Sequence, residues 1–119
     1  MYKLLQIVDD NVVGEYPLDR DNFRIGRKPG NDLQPDDASV SGSHASITLA
    51  PSAYMDDMQE ATIEDLDSTN GTCVNGKRIK KQLLKHGDIL TMGMLTMKFI
   101  DEQALAVEGT RILLQEEET

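Results

Sequence analysis

Tryptophan is absent from this 119-residue sequence, and the other aromatics amount to two Phe and three Tyr. A core built from this chain must therefore rest on Leu, Ile, Val and Met. There is a single cysteine, Cys73. It excludes an internal disulfide and suits a reducing compartment. One Cys and two distant His supply no metal set. Net positive charge is lacking as well. The formal charge of −9 argues against a broad nucleic-acid or anionic-membrane surface. No long hydrophobic run exists: the longest uncharged stretch, Ala38 to Met55, is rich in Ser, Gly, His and Pro and cannot span a bilayer. The opening MYKLLQIVDD is too short, and too polar after Val8, for a signal peptide. The expectation is a soluble, cytoplasmic protein of one domain.

Helical periodicity over ten residues is missing before residue 101. Short strand signals recur instead at intervals of roughly ten residues, as in an all-β sandwich. Tyr2 to Val8 and Val12 to Leu18 read as a hairpin. Phe23-Arg24-Ile25 alternates and then breaks at Lys28-Pro29-Gly30-Asn31-Asp32. Ala45, Ile47 and Leu49 share one face of a strand. Ala61 to Leu66 reads as a strand whose pattern fails at Leu66, which predicts a bulge or an abrupt end. Asn75-Gly76 tolerates positive φ at both turn positions and predicts a two-residue hairpin. Leu95, Met97 and Phe99 point inward from the last strand. The expected domain is 1–100. The tail, 101–119, reads as a short helix, an extra strand or disorder.

Basic residues are clustered despite the acidic total. Arg24, Arg27 and Lys28 form one group, and five of the twelve Lys and Arg lie between Lys77 and Lys85. The second group reads as a solvated hairpin, and His86 beside it as exposed and without a role. Three loops carry the unusual chemistry: Gly26-Arg27, Ser39 to Ala45, and Asp67 to Thr72. They are rich in short hydroxyl and amide side chains and in glycines, which expose backbone N–H groups to an anion. A phosphate held this way needs one fixed cation, several neutral donors and tight turns. Arg27, Ser41, Thr69 and Asn70 supply those types.

The order and spacing of these motifs resemble the forkhead-associated (FHA) family: Ile25-Gly26-Arg27, Asn31-Asp32-Leu33, Val40-Ser41-x-x-His44-Ala45, Asp67-x-x-Asn70-Gly71-Thr72-x-Val74-Asn75-Gly76, and Leu84-x-x-Gly87-Asp88-x-Leu90-x-x-Gly93. The likeness covers about residues 2–100. It implies an all-β, eleven-stranded antiparallel β-sandwich that binds phosphothreonine peptides through loops at one end. It implies no catalysis and no cofactor. Arg27 and Ser41 would contact the phosphate, Thr69 would line its site, and Asn70 would hydrogen-bond the peptide main chain. Gly42 and Ser43 would add donors. Gly26 would permit the turn that aims Arg27, while His44 and Gly71 would support the loops. The partners implied are a phosphothreonine-containing protein and a Ser/Thr kinase or its substrate, with neither nucleic acid nor membrane. A methyl pocket would favour phosphothreonine over phosphoserine by about 1–3 kcal/mol.

One departure stands out. The position after Ser41 often carries Asn, Arg or Lys in this family, and here it is Gly42. That keeps a phosphate-independent scaffold as the rival function. A phosphatase-like enzyme is disfavoured: Ser41 and His44 lack a third orienting group and an elbow motif. Glu64, Asp65 and Asp67 lack the spaced array of a calcium loop. Cys73 reads as a small core hydrophobe. In the tail, Thr110 is followed three positions later by Leu113, which matches a preference of the family. Phosphorylated Thr110 is therefore a candidate for self-association.

Overall fold

A computed structural model describes residues 2–52 and 59–102. Alternation of apolar and polar residues drives ten strands in this part of the chain: β1 Tyr2–Val8, β2 Asn11–Leu18, β3 Asn22–Ile25, β4 Ala45–Pro51, β5 Gln59–Asp65, β6 Thr72–Val74, β7 Lys77–Ile79, β8 Lys81–Leu83, β9 Ile89–Met92 and β10 Leu95–Asp101. They form two antiparallel sheets, ordered β2-β1-β10-β9-β6-β7 and β3-β4-β5-β8. The expected β-sandwich is observed, with ten strands among the described residues where the resemblance implies eleven. Thr110 and the rest of 103–119 lie outside the described residues.

The core is set by cross-strand pairs. One sheet contributes Leu4 opposite Phe99, and Met97 opposite Leu90, which in turn faces Val74. The other sheet contributes Phe23 opposite Ile47, which faces Ile63. All of these side chains are buried. Each contributes about 1.5–3 kcal/mol by leaving water, so aliphatic rows replace the missing aromatics. The Tyr2 ring packs tilted on Phe99, with centroids 5.2 Å apart.

Turn chemistry fixes the register. Asn75 and Gly76 have φ of 53° and 84° and close the expected β6–β7 hairpin. Asn75 Nδ2 donates to Asp88 Oδ1 (2.9 Å), and Asn75 Oδ1 accepts from the Ile89 N–H (2.9 Å). This hairpin is thereby stitched to the Gly87-Asp88 turn. β5 ends abruptly at Asp65, as the broken pattern predicts. The same loop end of the sandwich gathers the β3–β4, β5–β6 and β9–β10 connections. The first and last strands pair from Tyr2↔Asp101 inward, so both leave from the opposite end.

Two expectations fail here. Cys73 is only half-buried, because its neighbours Thr72 and Val74 take the inward positions of β6 and a period of two turns Cys73 outward. His86 is also half-buried, and its Nδ1 accepts the Asp101 N–H at 3.0 Å. The charged side chains of the Lys77 to Lys85 segment are exposed, in line with the solvated reading. The segment also holds β7 and β8 and buries Leu84.

Candidate functional site

Residues 26–28 lie against residues 41–42 as an extension of the β3–β4 ladder. The Arg27 and Lys28 N–H groups donate to the Ser41 and Gly42 carbonyls, at 3.1 and 3.0 Å. This approach is so close that a Cβ on Gly26 would stand 2.2 Å from the Gly42 carbonyl oxygen. Gly26 is therefore required by backbone contact and not, as expected, by a turn; its φ is not in the left-handed region. Arg27 is exposed, and its Nε donates to the Val40 carbonyl. That bond anchors the guanidinium and leaves its terminal N–H groups without an ion pair among the described residues.

His44 joins the two hydroxyl-rich loops. It is fully buried; its Nδ1 accepts the Ser41 N–H (3.0 Å), and its Nε2 lies 2.9 Å from the Gly71 carbonyl. A ring nitrogen that accepts cannot carry the proton, so the neutral tautomer with hydrogen on Nε2 satisfies both contacts. Both nitrogens are taken by backbone groups. His44 thus has none left to deprotonate the Ser41 hydroxyl, and it links the backbone of residue 41 to that of residue 71.

The Ser41 Oγ accepts the Thr69 N–H at 2.9 Å, and Asn70 Nδ2 donates to the Ser39 carbonyl at 2.8 Å. These two bonds bring Ser41, Thr69 and Asn70 together although they are distant in sequence. Ser41 keeps its hydroxyl proton available for donation. Arg27, Ser41, Gly42, Thr69 and Asn70 line one shallow cleft of about 210 Å³. Ser43 is exposed and does not line it.

Several residues that shape the cleft were not singled out from sequence. Asp65 Oδ1 accepts from Ser68 Oγ and from Thr72 Oγ1 (2.7 Å), and Asp65 Oδ2 accepts the Ser68 N–H (3.1 Å). Ser68 Oγ in turn accepts the Gly71 N–H (2.9 Å). Burial works against ionisation of Asp65, but the hydroxyls of Ser68 and Thr72 and the Ser68 N–H outweigh it, and its carboxyl titrates below the ordinary 3.8. Asp37 is likewise held low by the Ser39 hydroxyl and N–H, with Arg27 adding to the effect. Ser39 Oγ also accepts the Met94 N–H at 2.7 Å, which ties the third connection to the cleft. The Asp-x-x-Ser spacing of 65–68 and the Asp-x-Ser spacing of 37–39 are side-chain-capped turns. That local signal was available in the sequence.

A carboxyl lowered on folding stabilises the fold above its unfolded pKa, and that gain disappears as pH falls through the folded value. Asp65→Asn should accordingly lower the melting temperature at neutral pH. The gap from the unmodified protein should close as pH drops below 3.8. Thermal melts of both proteins across an acid series would show it; a constant gap would remove Asp65 ionisation from the loop's stability.

Comparison with known proteins decides the family. The FHA domain model matches residues 23–93, more than half of the chain. This chain belongs to the FHA domain family. It is 36% identical over 101 residues to the ABC transporter ATP-binding/permease protein Rv1747 of Mycobacterium tuberculosis, covering 85% of this chain and 10% of that protein. One solved FHA domain, from work on phosphothreonine-dependent FHA domain interactions, superposes with a TM-score of 0.70 at 28% identity, covering 84% of this chain and 95% of that one. EmbR of Mycobacterium tuberculosis, solved in complex with a low-affinity phosphopeptide, gives a TM-score of 0.69 at 32% identity over 83% of this chain and 24% of EmbR. The curated relatives it matches are longer: the chain spans between 10% and 59% of their length. In this FHA domain no helix of the described residues is long and apolar enough to cross a membrane. No group of His, Cys, Asp or Glu among them could hold a metal ion.

Proposed function

We propose that this FHA domain is a non-catalytic adaptor that docks on phosphothreonine-bearing segments of partner proteins in Ser/Thr kinase signalling. The observation that carries the proposal is the convergence of Arg27, Ser41 and Thr69 on one cleft, with Ser41 held between two loops by His44 and Thr69. Arg27 supplies the cation, and the Ser41 and Thr69 hydroxyls supply neutral donors. Asn70 exchanges its bond to Ser39 for one to the peptide main chain. A charge-assisted hydrogen bond contributes about 1.5–3 kcal/mol, so a few of them place a short peptide near micromolar affinity, about −8 kcal/mol. A free Cys73 fits a cytoplasmic location. The same docking extends to a second copy of the chain when Thr110 is the phosphorylated residue.

Calorimetric titration with one peptide in three forms tests this. Phosphothreonine should bind best, phosphoserine about tenfold or more weakly for loss of one methyl, and the unmodified peptide negligibly. Equal affinity for all three forms would favour the phosphate-independent scaffold.

A further inference from the structure

Gly42 leaves a gap in the donor set just where a longer side chain would reach the cleft, and Lys28 lies across that gap. Its Cγ and Cε stand 2.9 Å, and its Cδ 3.2 Å, from where a Cβ on Gly42 would be. The stem thus occupies the very space that a side chain at position 42 would take. The backbone beneath it is fixed. Lys28 N–H donates to the Gly42 carbonyl (3.0 Å), and the Asn31 side-chain amide donates to both the Lys28 carbonyl (3.1 Å) and the Gly42 carbonyl (2.8 Å). Lys28 is exposed and forms no ion pair among the described residues. Lys28 does not itself line the cleft, but its stem packs on Gly42, which does, and an exposed ammonium one bond beyond Cε can swing from there toward a bound phosphate.

We infer that Lys28 is the second phosphate-binding cation of this domain, delivered over Gly42 in place of a side chain at position 42. The inference rests on the phosphothreonine-docking function proposed above. An ammonium on a flexible stem suits this task, since it acts as a mobile point charge and needs no fixed fork geometry. The absence of a side chain at Gly42 is then what admits the lysine. A residue added there must push the stem aside, so positions 28 and 42 are alternative sources of one donor and their substitutions are coupled.

The test uses NMR titration of the full chain with an alanine-flanked phosphothreonine nonapeptide. Lys28→Met keeps the stem and removes the charge. It should weaken binding by about tenfold, as expected for one charge-assisted bond, flatten the salt dependence and leave the melting temperature unchanged. Lys28→Arg should retain most of the affinity. Adding Gly42→Asn to Lys28→Met should recover much of the loss, whereas Gly42→Asn alone should gain little. If Lys28→Met binds like the unmodified protein while Arg27→Ala loses affinity, the lysine has no such role and the docking function stands. Should the phosphorylated peptide fail to bind the unmodified protein, or Arg27→Ala leave its affinity unchanged, the docking site itself is misassigned and the inference falls with it.

Discussion

Arg27→Ala is expected to weaken phosphothreonine-peptide binding by about ten- to a hundredfold, the loss of one or two charge-assisted bonds. The fold should remain, because the side chain is exposed and its hydrogen bond among the described residues is the one from Nε to the Val40 carbonyl. That single bond is what makes the effect large. It orients the guanidinium before any ligand arrives, so less ordering entropy is left to oppose binding. Moderate salt should weaken binding only modestly, since few charges take part. Isothermal calorimetry and a thermal melt together check the prediction. Undiminished affinity in a folded variant would remove Arg27 from the phosphate site.

His44→Ala should have the largest effect on stability. The ring is fully buried and holds a backbone donor of one loop and a backbone acceptor of another. Its removal strands the Ser41 N–H and the Gly71 carbonyl, each costing about 1–3 kcal/mol when buried and unpaired, and leaves a cavity besides. A melting temperature lower by roughly 10 °C or more follows for a domain of this size. Affinity should fall too, even at temperatures where the variant is folded, because Ser41 and Thr69 lose their common support. Calorimetric unfolding paired with peptide titration separates the two effects. A variant that melts like the unmodified protein would show that the loops are held without this ring.

The sandwich was legible because a period of two shows in several of its strands. Phe23 with Ile25, Ala45 with Ile47 and Leu49, and Leu95 with Met97 and Phe99 all fall on the buried face. Asn75-Gly76 gave its turn away by the φ it tolerates. Misjudgements arose where an effect is non-local. Nothing in the neighbourhood of Gly26 reveals that the Gly42 carbonyl will occupy the space a Cβ would need there. His86 meets the Asp101 N–H only once two strands are paired. Cys73 was misplaced for another reason: a three-residue strand is too short to declare its phase, and the buried position fell to Thr72, a polar residue whose hydroxyl Asp65 satisfies. The cleft residues were recognisable as phosphate-type donors. Their convergence depends on cross-loop bonds such as Ser41 Oγ with the Thr69 N–H, which no spacing encodes.

Tyr2 and Asp101 sit side by side in adjoining strands, at the pole of the sandwich away from the cleft. Among the described residues the chain therefore enters and leaves this unit at nearly one point. Such a unit can be spliced into a loop of an unrelated protein at low entropic cost, because it bridges its insertion point without stretching the host.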